Sequence, residues 1–210
     1  MAVAALIYTA PWDNYLISRH VWSYDPDHVT MSLRIGYVPL EEYCFFMLQP
    51  ILTGLYLLYF ANLDRATIAA WLPAGPRTWQ PRFVGGLLAL LATALGLISF
   101  FLAGHGIYFG LILMWAGPVI AFHWFYGGDY LWEIRKIFFS SLVLATFYLC
   151  VIDRIAIEWK IWTISPVYST GWTFLGLPLE EATFFVVTNL LVIQGLLLFF
   201  KFRGPPEVPA

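Results

Sequence analysis

Five apolar stretches of about 20 residues each set the fold class of this chain, because a helix of that length crosses the roughly 30 Å hydrocarbon core of a bilayer. They run at about Pro39 to Phe60, Phe83 to Ala103, Ile107 to Tyr126, Ile134 to Ile152 and Leu177 to Phe200, and a shorter apolar run precedes Asp13. With 60% hydrophobic and 11% charged residues and a mean hydropathy of +0.74, the composition excludes a soluble domain. The net charge of -2 is thinly spread and forms no basic patch, so nucleic acid is not an expected partner. No basic residue precedes the first apolar run, which argues against a cleaved secretory signal. The expected architecture is an all-α polytopic membrane helix bundle of six to seven spans, the first one short.

The chain is also a duplication. At an offset of 140, Asp13 falls on Asp153, Trp22 on Trp162, Pro26 on Pro166 and Gly36 on Gly176. One residue fewer in the second copy then changes the offset to 139, which aligns Pro39-Leu40-Glu41-Glu42 with Pro178-Leu179-Glu180-Glu181 and Phe45-Phe46 with Phe184-Phe185. This is an internal repeat that carries its own acidic site twice. Seven basic residues (Arg65, Arg77, Arg82, Arg135, Lys136, Lys201 and Arg203) fall on one side of the spans and four (Arg19, Arg34, Arg154 and Lys160) on the other. The positive-inside rule makes the first group cytoplasmic, so both Glu pairs start their helices at the opposite face. Those helices then run in the same direction, and the two repeats are parallel, related by an axis along the membrane normal.

Pro73, Gly75, Pro76 and Pro81 punctuate the connection from Asn62 to Pro81 and mark the junction between halves. The expected organisation is a first repeat over 1–62, a linker and connecting helix over 63–105, a second repeat over 106–203 and a flexible tail over 204–210. The twelve residues before Asp13 span only about 18 Å as a helix, whereas two full spans precede Asp153. The first repeat therefore lacks a helix that the second has. The amino-terminal helix is expected to be the least well packed element, completed by an upstream extension or by a helix from another chain in a homo- or hetero-oligomer. Small residues at Gly85, Ala89, Ala92 and Gly96 would let helices approach closely.

Paired carboxylates at the head of a membrane helix have a structural reading: Pro suits the first helical position, and acidic residues there complement the positive end of the dipole. Two copies in matched contexts favour a functional one. Adjacent residues point about 100° apart on a helix, so the two glutamates of a pair cannot share a task. Glu41 shares a stripe with Phe45, Leu48 and Leu52, and Glu180 with Phe184, Val187 and Leu191. The first carboxyl of each pair is expected to face this apolar and aromatic wall, where burial disfavours the charged form. Glu42 and Glu181 are expected to orient or recharge it. A neutral carboxylic acid beside aromatic faces can protonate an alkene and shelter the resulting carbocation by cation–π attraction.

His20, His28, His105 and His123 show no metal-ligand spacing, and no metal is expected. His123 alone lies inside a span, where it is either functional or bonded to a neighbouring helix. Cys44 and Cys150 sit inside predicted helices and are expected to pack as free thiols.

The stretches PLEEYCFFMLQP, DRIAIEWKIW and GLPLEEATFFVVTNLLVIQGL resemble the lycopene cyclase family of non-flavin integral membrane carotenoid cyclases, whose two repeat units occur as separate subunits or fused. The resemblance covers nearly the whole chain, with Pro-x-Glu-Glu or Pro-x-Glu-Tyr as its signature. It departs at the amino terminus, where members usually carry another helix before the residue matching Asp13. It implies closure of the ends of linear lycopene to β-ionone rings in carotenoid biosynthesis, in a multi-pass protein of the cytoplasmic (cell) membrane whose partners are the carotenoid and the lipid bilayer. On this reading Glu41 and Glu180 act as acid and base, with Glu42 and Glu181 as their partners. Phe45, Phe46, Phe184, Phe185, Trp22 and Trp162 form a cation-tolerant wall. Asp13 and Asp153 are either a proton relay at the membrane boundary or solvated helix-end charges. The mechanism requires no cofactor. The alternatives are a carotenoid hydratase or other prenyl-modifying enzyme that admits water, and a non-enzymatic carotenoid-binding or transporter subunit.

Overall fold

The computed structural model describes residues 1–30, 33–63, 78–102 and 104–203. Among them six helices carry the fold: α1 (Ala2–Ser18), α2 (Leu40–Leu63), α3 (Trp79–Phe101), α4 (Ile107–Glu133), α5 (Arg135–Glu158) and α6 (Leu179–Arg203). All but α1 are long and apolar enough to cross a membrane, which makes this a multi-pass membrane protein. The expected spans fall inside these five helices, apart from their ends. Most of the junction between Asn62 and Pro81, and the tail over 204–210, lie outside the described residues. At 17 residues, α1 is about 26 Å long. It does not end at Asp13 but continues a turn further, packing Asp13 and Leu16 inward.

Short strands cap one end of the bundle. β1 (Trp22–Tyr24) follows α1, and β4 (Trp162–Ile164) follows α5 at the corresponding point of the second repeat. The two pair antiparallel, with Ser23 opposite Thr163. Since Thr163 is the residue 140 positions after Ser23, the repeat axis passes through this central pair, and the two hydroxyls meet across it at 3.3 Å. Each repeat then makes a hairpin, β2 (Arg34–Ile35) with β3 (Val38–Pro39) and β5 (Thr173–Phe174) with β6 (Leu177–Pro178). Gly36 and Gly176 turn these hairpins at φ +68° and +84°, in the left-handed region that costs glycine least. A Cβ at Gly36 would strike the Asn14 side chain, and one at Gly176 would lie 2.5 Å from Nε of Arg154. Asn14 and Arg154 are themselves repeat partners. Each ties its hairpin to the preceding helix, Asn14 by accepting the Tyr37 amide at 2.9 Å and Arg154 by donating to the Leu175 carbonyl at 2.9 Å.

Lipid offers no hydrophobic drive for helices to associate, so packing and buried polar bonds must hold the bundle. The α3–α4 contact uses the first device: a Cβ on Gly96 would lie 2.6 Å from the Gly110 carbonyl oxygen, and one on Gly110 would lie 2.8 Å from that of Gly96. The centre of the bundle uses the second. Asn189 of α6 accepts from Gln49 at 2.7 Å and from Thr53 at 2.6 Å, both on α2, and donates to Thr146 of α5 at 3.1 Å. One apolar core lies under the strand cap, around Leu16, Tyr108, Ile112, Phe184 and Phe185. A second fills the opposite end, around Leu57, Leu131, Phe138 and Leu197.

Candidate active site

The two repeats do not build two sites. Their acidic residues converge on one cavity of about 230 Å³ beneath the β1–β4 ribbon, lined by Asp13 and Glu42 from the first repeat and Asp153 and Glu181 from the second. Asp13 lies within electrostatic range of Glu42 and Glu181, and so does Asp153. Asp13 and Glu181 are almost wholly buried, at 2% and 5% exposure. Among the described residues no Lys, Arg or His lines the chamber. Four carboxyls therefore face one space, with no cation among the described lining residues to offset their mutual repulsion.

The orientation of each Glu pair differs from the stripe argument, because the hairpin before each helix folds back over its first turn. Glu41 is exposed, at the chamber's edge, and its carboxylate accepts the Thr30 amide at 2.9 Å. Glu180 is fully buried but turned the same way, accepting the Thr170 amide at 2.6 Å and the Ser169 hydroxyl at 3.2 Å. Thr30 and Thr170 are repeat partners, so the first glutamate of each pair performs one equivalent task, holding the loop that precedes the hairpin. The second glutamates enter the chamber instead. The Tyr108 hydroxyl donates to Glu181 at 2.8 Å, and Tyr24 stands within hydrogen-bonding reach of Glu42. Burial, reinforced by the Glu42 and Asp13 carboxyls, pushes the Tyr24 hydroxyl well above the ordinary phenol range, so it stays a donor.

Asp13 and Asp153 are not solvated helix-end charges. Both lie inside their helices and line the chamber, Asp153 partly buried and Asp13 deeply so. One oxygen of each is buried without a hydrogen-bond partner among the described residues. Trp22, Trp162, Phe45, Phe184 and Phe185 are in the lining, whereas Phe46 is buried behind Phe45 and does not reach it. Tyr24 and Tyr108 lie outside the expected set of site residues, as does an aromatic slab in which Trp12 stacks on Phe184 at 5.7 Å and on Trp115 at 4.8 Å. Trp12 could have been found from its place beside Asp13. Tyr108 carries no signal in the motifs, being 73 residues from its partner. His123 bonds Gln194 of α6 at 3.2 Å, away from the chamber. Cys150 is partly buried, Cys44 is exposed on the outer face of α2, and neither is in a disulfide.

Fold and site together define a polytopic membrane protein with a carboxyl-rich, aromatic-walled chamber on the axis between two repeats. Comparison with known sequences gives the family: residues 1–60 and 105–200 match the family model described as Lycopene cyclase, and the chain belongs to that family. It is similar to the lycopene beta-cyclase of Halobacterium salinarum (strain R1), at 40% identity across 93% of this chain and 78% of the relative. It is also similar to bifunctional lycopene cyclase/phytoene synthases of fungi. Identity to the protein of Leptosphaeria maculans is 36% across 95% of this chain and 35% of that protein, and to the one from Aspergillus oryzae 30% across 93% and 33%. No solved structure matches the chain.

Proposed function

We propose that the chain is a lycopene β-cyclase that closes the ends of the linear carotenoid to β-ionone rings in the cell membrane. The observation that carries the reading is the chamber in which carboxyls of both repeats meet beside aromatic walls, with no cationic side chain among the described lining residues. A neutral carboxylic acid there adds its proton to the terminal double bond and creates a tertiary cation. The nearby internal double bond attacks that cation, closing the ring and moving the positive charge into it. A carboxylate then removes a proton from the new ring. One proton enters and one leaves, so substrate and product are isomers and the scheme needs neither a redox partner nor a cofactor.

Glu42 and Glu181 take the acid and base roles, one from each repeat, with Asp13 and Asp153 relaying protons between them. General acid–base work of this kind contributes about 100- to 10,000-fold. Trp22, Trp162, Phe45, Phe184 and Phe185 stabilise the cation through their ring faces, each such contact being worth about 0.5–2 kcal/mol. Tyr24 and Tyr108 orient the glutamates, and Glu41 and Glu180 hold the loops over the chamber. Apolar walls also keep water from trapping the cation as an alcohol.

Expression in a host that accumulates lycopene, followed by pigment separation and mass measurement, tests the reading. The expected product carries one or two rings and has the mass of lycopene. Unchanged lycopene from a folded, membrane-inserted protein, or a product heavier by one water, would overturn it.

A further inference from the structure

A second cavity, of about 650 Å³ and almost entirely apolar, opens between α3 and α4 toward α5 and α6. It is larger than the acid chamber and carries no part of the chemistry assigned above. The two cavities adjoin along α4 and α6. On α4, Tyr108 lines the chamber, Ile112 is wholly buried one turn further on, and Ala116, Ile120 and Trp124 then line the furrow at steps of four residues. On α6, Phe184 lines the chamber, while Val187 and Leu190 line the furrow at steps of three. Phe184 and Val187 are three apart and share a face of α6, so the chamber and the furrow adjoin there. Along α4 the distance from Tyr108 to Trp124 is about 24 Å at 1.5 Å per residue.

We propose that this furrow is the binding subsite for the conjugated middle and far end of the linear polyene whose near end reacts in the chamber. The inference rests on the cyclase reading. A long apolar substrate needs an apolar surface next to the reacting acids, and the furrow adjoins the chamber one helical turn on, at Val187. The furrow also has a rigid wall. The Trp124 ring is wedged against Gly85 and Gly128, where any side chain would collide with it. A preformed slot favours a stiff polyene over a flexible acyl chain, because little conformational freedom is lost on binding.

The test uses purified protein carrying Glu181→Gln, so that substrate is bound without being consumed. A polyene held in a chiral slot acquires circular dichroism in its visible band, and titration with lycopene gives the affinity. Two substitutions fill the furrow: Ala92→Phe on its floor and Val84→Phe on its lipid-exposed rim. Leu91→Phe, on an exposed face of α3 outside the furrow, is the control. Both filling variants should weaken lycopene binding about 10-fold, equivalent to losing roughly 55 Å² of apolar contact, and Leu91→Phe should not. In the otherwise active protein the same changes should raise KM for lycopene and spare a truncated substrate that retains one reactive end. Equal affinity in all three variants, or a bound phospholipid that lycopene fails to displace, would overturn the proposal. A wild-type protein that binds lycopene in this way but forms no ring would sink the cyclase reading and leave the furrow assignment standing.

Discussion

Replacing the two neighbouring glutamates of α6 by glutamine, one at a time, separates chemistry from architecture. Glu181→Gln preserves volume and an oxygen that can accept the Tyr108 hydroxyl, now at 2.8 Å, but the amide has no proton to give and takes none up. Loss of a general acid or base removes at least about 100-fold of rate, or about 2.7 kcal/mol of barrier stabilisation. Glu180→Gln acts on a different structure. Its Oε1 accepts two hydrogen bonds, from Thr170 at 2.6 Å and Ser169 at 3.2 Å, while Oε2 is buried without a partner. Weakening two bonds of about 0.5–1.5 kcal/mol each costs about 1–3 kcal/mol of stability and leaves the chamber acids in place. The assay pairs ring formation per folded molecule with thermal unfolding in detergent. Glu181→Gln should unfold normally and turn over at 1% or less of the parent rate, about 100-fold down. Glu180→Gln should unfold earlier and keep turnover within about 10-fold. The assignment is refuted if Glu181→Gln retains full turnover, or if Glu180→Gln loses about 100-fold with an unchanged melting temperature.

Other outcomes follow from single contacts. Tyr108→Phe keeps the ring packed on Trp22 at 5.4 Å but leaves a Glu181 oxygen without its donor; turnover should fall about 10-fold, a loss of about 1.4 kcal/mol typical of one such bond, read from steady-state kinetics. Asn189→Leu removes the hub that joins α2, α5 and α6, and should lower stability to unfolding in detergent by about 1–3 kcal/mol because the buried Gln49 and Thr53 lose the acceptor they share. Gly36→Ala should destabilise by at least about 1 kcal/mol, since the turn is left-handed and the new methyl meets Asn14. Gly171→Ala is a milder control: its φ is +75° but nothing lies within 4 Å, so strain alone acts. Thermal unfolding of the pair reads the difference.

The membrane class, the number and order of long helices, the duplication and its parallel sense are all legible in the linear chain. Each rests on local or periodic information: apolar length, charge by side, and residues recurring at one offset. Asp13, Asp153, Trp22 and Trp162 were found this way, because a repeat places equivalent residues around one axis. Which carboxyl of each pair faces the chamber depends on tertiary structure. Helical spacing gives the angle between Glu180 and Glu181 but not the rotation of the helix against its surroundings. That rotation is set by the hairpins at Gly36 and Gly176, whose backbone folds the Thr30 and Thr170 amides onto the first glutamates. The merging of two acidic motifs into one chamber was likewise decided by the β1–β4 pairing across 140 residues. Tyr108 reaches Glu181 only because α4 packs against α6, a contact that depends on side-chain fit between distant segments and leaves no periodic trace in either.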